Sequence, residues 1–209
     1  MPFLLSLLAL VSTALLLRAE YAGDRGQVYV FKPLTTTLIV TLALAAPSPV
    51  SSFYQGAIVL GLLVSLAGDV FLMLPSDRFV AGLASFLVAH VCYIAAFLSV
   101  AGLSLSVMVL VPFVLYGGVL LRVLWPHLGR LRGPVLLYAA VLLVMGWQAA
   151  EQHLTVPSTG TLLALVGAMF FVVSDSVLAF NRFVRPFRAA QAVVLSTYFV
   201  AQGMIALSV

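Results

Sequence analysis

Eight long apolar runs, separated by short clusters of polar residues, prolines and glycines, divide the chain at roughly 2–17, 30–46, 54–74, 79–100, 106–124, 134–150, 159–180 and 189–208. A spanning helix needs about 17–25 such residues, and the first and sixth runs sit at the short end of that range. The pattern predicts an all-α integral membrane protein, a single bundle of eight transmembrane helices over residues 1–209. The connections are too short to hold an extramembrane domain. No basic residue precedes the first run, so a retained helix is expected there rather than a secretory signal.

Composition supports lipid as the solvent. Of 209 residues, 64% are hydrophobic and 8% charged, with a mean hydropathy of +1.22, whereas soluble domains carry about 25% charged residues. The net charge of +4 therefore points to topology signals and lipid headgroups, and not to nucleic acid. Arg18, Arg25 and Lys32 flank the first connection, and Arg78 lies in the third. Arg122, Arg130 and Arg132 flank the fifth, while Arg182, Arg185 and Arg188 occupy the seventh. The even-numbered connections carry none. Under the positive-inside rule this segregation places the odd connections in the cytoplasm and both termini on the opposite side. Cys92 is the sole cysteine, which excludes an intramolecular disulfide.

Two acids interrupt the apolar runs, Asp69 in Ala67-Gly68-Asp69-Val70-Phe71-Leu72 and Asp175 in Val173-Ser174-Asp175-Ser176-Val177-Leu178. A carboxylate at a helix centre costs about 2.5–3.5 kcal/mol on insertion scales, so each acid reads by default as a functional site. Both lie on runs heading toward the cytoplasm. Asp69 precedes Pro75 by 75 − 69 = 6 residues and Asp175 precedes Asn181 by 181 − 175 = 6. At about 1.5 Å per residue both stand about 9 Å inside the boundary. Their segments are alike at an offset of 175 − 69 = 106 residues, which suggests a 4+4 parallel internal repeat.

Other polar groups are candidates to share the site. Lys32, Thr35 and Thr36 occupy one helix face at i, i+3 and i+4. Lys32 reads either as an interfacial lysine reaching outward or as a cation for the acids, and Lys32-Pro33 also fits a helix start. His90 and Tyr93 share a deeper face, where His90 is either a proton carrier or a histidine bonded to a neighbouring helix. Gln191, Tyr198 and Gln202 form a stripe on the last run, and Ser174 and Asn181 flank Asp175 on one face. Tyr116, Tyr138 and Gln148 read as interhelical hydrogen-bonding groups. Gly61, Ser65 and Gly68 make a small-residue face that admits a close neighbour. A three-histidine zinc site is excluded, because only His90 is embedded. No Gly-rich phosphate loop appears.

At Lys32-Pro33-Leu34-Thr35-Thr36, at Ser65 through Leu74, at Gly82 through Tyr93 and at Phe171 through Ala179, the chain resembles the YhhN family of membrane proteins, the lysoplasmalogenases. Asn181-Arg182-Phe183, Tyr198 and Gln202 fit as well. The resemblance implies hydrolysis of the vinyl ether bond of a lysoplasmalogen to a fatty aldehyde and glycerophosphocholine or glycerophosphoethanolamine. Asp69 and Asp175 would be the catalytic acids, with no metal or organic cofactor. Lys32, Thr35, Thr36, His90, Tyr93, Ser174, Asn181, Arg182, Tyr198 and Gln202 would face the substrate. The phosphate would meet Lys32 and Arg182 or Arg185, and the tail would run inward past His90. The partners implied are a lysophospholipid and membrane lipids, in a bacterial inner membrane with the site near the cytoplasmic side. A proton-coupled transporter is the alternative for paired intramembrane acids, and a lipid-binding scaffold that uses them only for packing is a third reading.

Overall fold

The computed structural model describes residues 2–76 and 78–209. Among them are eight long helices, each long and apolar enough to cross a membrane. They are α1 (Pro2–Ala22), α2 (Arg25–Leu44), α3 (Ser52–Met73), α4 (Phe79–Ala101), α5 (Val107–Leu124), α6 (Arg132–Thr155), α7 (Thr159–Ala179) and α8 (Ala190–Leu207). Two short 3-10 turns join α5 to α6, and a π-helical turn, Phe180–Val184, follows α7.

Local chemistry sets the helix ends. Ser51 and Ser158 cap α3 and α7, accepting from the Tyr54 and Thr161 N–H groups, and Thr161 returns the bond in a capping box. Asp24 caps α2 by accepting from Gln27 N–H at 3.1 Å. Helix α2 thus begins at Arg25, five residues before the apolar run at 30. The carboxylate cap is the stronger start signal. Lys32-Pro33 consequently lies two turns inside the helix, not at its start. Helix α6 likewise outruns its apolar stretch and carries Glu151 and Gln152 into the protein, 3% and 1% exposed. Glu151 there accepts from Ser106 N–H at 2.8 Å, Ser104 Oγ at 2.9 Å and Trp147 Nε1 at 3.0 Å, so a side chain of α6 satisfies the N-terminus of α5.

The closest packing joins α3 to α4 and α7 to α8, followed by α1 with α2. In the middle of the bundle α4 lies against α6, and α2 against α8. Glycine permits the tightest approach. A Cβ on Gly61 would stand 2.4 Å from the Tyr93 ring, and one on Gly68 would stand 2.8 Å from the Phe86 ring. The backbone of α3 beside Asp69 is therefore covered directly by α4. Helix α5 is peripheral, with only Gly117 and Leu124 buried.

A candidate active site between the two aspartates

Asp69 projects from the last turns of α3 into the interior and is 1% exposed. Three groups from two other helices converge on it. Lys32 Nζ of α2 stands 3.5 Å from Oδ1. Thr36 Oγ1, one turn further along α2, donates to Oδ2 at 2.8 Å, and the Tyr198 hydroxyl of α8 donates to the same oxygen at 2.7 Å. The bonding continues deeper. Gln202 Nε2 donates to the Tyr198 hydroxyl at 3.1 Å, Tyr93 donates to Gln202 Oε1 at 2.7 Å, and Ser65 Oγ lies 3.5 Å from the Tyr93 hydroxyl. Four helices are thereby tied through one acid. A buried carboxylate is stable only when its charge and lone pairs are matched in this way.

Asp175 comes from the corresponding part of α7 with fewer partners. It accepts a hydrogen bond from the Tyr138 hydroxyl of α6. Among the described residues the Lys32–Asp69 pair is the only ion pair within 4.0 Å.

Both acids open onto one cavity of about 160 Å³. Lys32, Asp69, Asp175, Arg182, Gln191 and Tyr198 supply its main polar lining, with Ser174 beside them, and Leu72, Phe79, Phe86 and Leu178 supply apolar walls. Its location is the end of the bundle where the basic residues gather. The π-helical turn after α7 helps build it. Asn181 Oδ1 accepts from Phe187 N–H at 3.0 Å and shapes the following segment, while the Arg182 guanidinium lies 4.4 Å over the Phe79 ring. Single π turns are frequent at functional sites because they re-aim side chains.

The sequence-derived residues thus separate into groups. Lys32, Thr36, Asp69, Tyr198 and Gln202 form one network, joined by Tyr93, while Asp175 and Arg182 face the same cavity. Thr35 turns away, with its hydroxyl 2.7 Å from Ser12 Oγ on α1 and donating to Phe31 O at 2.8 Å. Ser174 uses its hydroxyl on Val194 O at 3.1 Å, tying α7 to α8, and Asn181 serves its own loop; neither bonds Asp175. His90 is fully buried and lines neither this cavity nor its neighbour. Its ring packs edge-on against Tyr138 and Phe171 at centroid distances of 5.3 and 4.7 Å, and neither ring nitrogen has a hydrogen-bond partner among the described residues. Neither cavity reaches His90, where the resemblance had a tail pass. Arg185 is not among the cavity-lining residues.

Tyr138, expected from the sequence to be an interhelical hydrogen-bonding group, makes that bond to Asp175 itself and so belongs to the site. A signal for it exists. Tyr138 precedes Asp175 by 175 − 138 = 37 residues, the same spacing by which Lys32 precedes Asp69, 69 − 32 = 37.

These features define a class: a polytopic helical membrane protein in which two acids from different helices line one cavity at one end of the bundle. The chain belongs to the YhhN family, whose profile matches residues 27–209. It is 33% identical over 187 residues to the "Uncharacterized membrane protein YhhN" of Escherichia coli O6:H1, covering 90% of this chain and 89% of that one. It is also 34% identical over 178 residues to "Lysoplasmalogenase TMEM86B" of Sus scrofa, covering 85% of this chain and 72% of the relative. A "Lysoplasmalogenase" of Mycobacterium bovis is 32% identical over 177 residues, covering 81% and 66%. No solved structure matches the chain.

Proposed function

We propose that this protein is an intramembrane lysolipid hydrolase that cleaves the vinyl ether bond of a lysoplasmalogen, with Asp69 and Asp175 as the catalytic pair. The observation that carries the reading is that both acids line one cavity with Lys32, Arg182 and Tyr198. The names of the relatives from Sus scrofa and Mycobacterium bovis support the same substrate class.

A vinyl ether hydrolyses by protonation of its β-carbon, which gives an oxocarbenium ion. Water adds to that ion and loses a proton, and the hemiacetal collapses to aldehyde and alcohol. The chemistry calls for one protonated and one ionised carboxyl group, the division that paired carboxylates perform on glycosides. Lys32 and Arg182, both in the cavity lining, suit a phosphate, Arg through its planar fork and Lys as a point charge. A lysolipid entering from its own leaflet would place its glycerol near these cations and its ether linkage slightly deeper, near the acids.

The same reading extends to orientation and ancestry. The basic end is cytoplasmic under the positive-inside rule, which puts the site in the inner leaflet of a bacterial inner membrane and both termini on the other side. A 4+4 repeat belongs to the proposal: in it α3 with α4 would match α7 with α8, and α4 with α6 would match α8 with α2.

The test is aldehyde release by purified protein from a lysoplasmalogen and from a saturated-chain lysolipid. Release from the vinyl ether alone, lost in Asp69→Asn and in Asp175→Asn, is the expected result. A folded wild type that releases no aldehyde sinks the reading and returns the acids to transport or packing.

A further inference from the structure

The polar cavity has an apolar neighbour. Beyond Asp175 lies a slot of about 50 Å³ bounded by Leu83 of α4, Leu120 and Leu124 of α5, and Val135, Ala139 and Leu142 of α6. Asp175, Leu72, Phe79, Phe86 and Leu178 line both spaces, so the two meet at the carboxylate. Their linings differ sharply. Besides Asp175, the slot's polar side chains are Tyr138, which donates to Asp175, and Ser176, which donates to Val172 O at 2.7 Å. Nothing else in the slot asks for water or charge.

Its outer wall is the most weakly held helix. Helix α5 rests on α6 and on the π-helical turn, and it reaches α7 through one side-chain hydrogen bond, Tyr116 hydroxyl to Ser176 Oγ at 2.7 Å. Tyr116 lies on the outer, lipid-facing surface, 42% exposed. A second apolar groove, between α1, α2 and α8, is larger at about 420 Å³ but has no acidic or basic residue in its lining. Buried area alone, at about 0.8 kcal/mol per methylene, would send a hydrocarbon chain to the larger groove. Only the smaller slot delivers a chain to an acid.

We propose that the slot between α4, α5 and α6 takes the hydrocarbon tail of the lysolipid, which enters sideways from the bilayer past α5. The polar cavity then holds the headgroup, and the carbons nearest the glycerol cross at Asp175. This rests on the lysolipid reading above for the ligand but not on its hydrolysis. The slot is too narrow for a full tail, so admission moves α5 outward and parts the Tyr116–Ser176 hydrogen bond.

The experiment uses wild-type protein in lipid nanodiscs and a saturated, uncleavable lysolipid with a diazirine midway along its tail. Photolysis and peptide mapping are expected to place the label on α4, α5 and α6 around the slot. Label confined to α1 and α8 overturns the proposal. A second arm fills the slot with Ala139→Leu and Ala139→Phe and compares long-chain with short-chain lysoplasmalogen. The long-to-short rate ratio is expected to fall by about tenfold or more in the larger variant, the scale at which pockets discriminate methylenes. An unchanged ratio in folded protein overturns the proposal. Slot labelling in a wild type that releases no aldehyde would support the tail site while sinking the hydrolase reading, so the two fail separately.

Discussion

Asp69 and Asp175 stand at the same end of the bundle and line one cavity, yet their surroundings are opposites. Asp69 has a cation at 3.5 Å and two hydroxyl donors within 2.8 Å, and its neighbours continue as a bonded chain through Tyr198, Gln202 and Tyr93. Asp175 has one phenol, Tyr138, and borders an apolar slot. The residue 37 positions before each acid, 69 − 32 and 175 − 138, touches it, a lysine at Asp69 and a tyrosine at Asp175. A lysine and two hydroxyls thus hold Asp69, and one neutral donor holds Asp175. Glu151 adds a third case. It is buried like Asp69, but three donors from its own neighbourhood satisfy it and it lines none of the cavities described above. Burial of an acid alone does not make a site; shared access to a cavity does.

The comparison can be broken most directly at the acids themselves. Asp69→Asn and Asp175→Asn should each lower aldehyde release by about 10²–10⁴-fold, the usual worth of a positioned acid or base. An effect confined to one of them would mean that the cavity needs a single acid. Next comes the counter-charge. Lys32→Met leaves a buried carboxylate without its cation and should cost about 3–5 kcal/mol, read as detergent-solubilised unfolding. Tyr138→Phe removes a neutral donor and should cost about 0.5–1.5 kcal/mol in the same assay. Equal costs would erase the contrast between the two acids.

Two effects away from the acids sharpen it. Gly61→Ala drives a methyl into the Tyr93 ring, and the overpacking should destabilise by about 1–3 kcal/mol. His90→Leu should leave stability within about 1 kcal/mol of wild type or raise it, because a buried polar ring without a partner gains nothing from its nitrogens. A larger loss would reveal a bond to His90 and draw it into the chain that runs from Asp69.

Much of this was legible before any coordinates. Runs of apolar residues marked all eight helices, and the basic residues marked one end. Lys32, Thr36 and Tyr198 were visible as polar groups in apolar runs, and they meet at Asp69. The start of α2 was misplaced because an apolar window ignores Asp24, whose carboxylate starts the helix earlier. Thr35 was grouped with Lys32 and Thr36 because i, i+3 and i+4 share a broad face. The real face divides between α1, which takes Thr35, and α3, which takes the other two. The resemblance put His90 among the substrate-facing residues, and aromatic rings enclose it instead.

The sequence by itself determined the number of helices, the end at which charge gathers and the place of the two acids along their helices. These follow from composition along one helix and a rise of about 1.5 Å per residue, and need no knowledge of neighbours. The tertiary structure decided which way each helix turns: that Tyr138 meets Asp175, that Thr35 does not meet Asp69, and that a slot opens beside α5. In water a polar face declares the outside of a helix. In lipid the outside is as apolar as the core, so that signal vanishes, and rotation is set by close-packed glycines and a few interhelical hydrogen bonds whose partners lie far away in the chain.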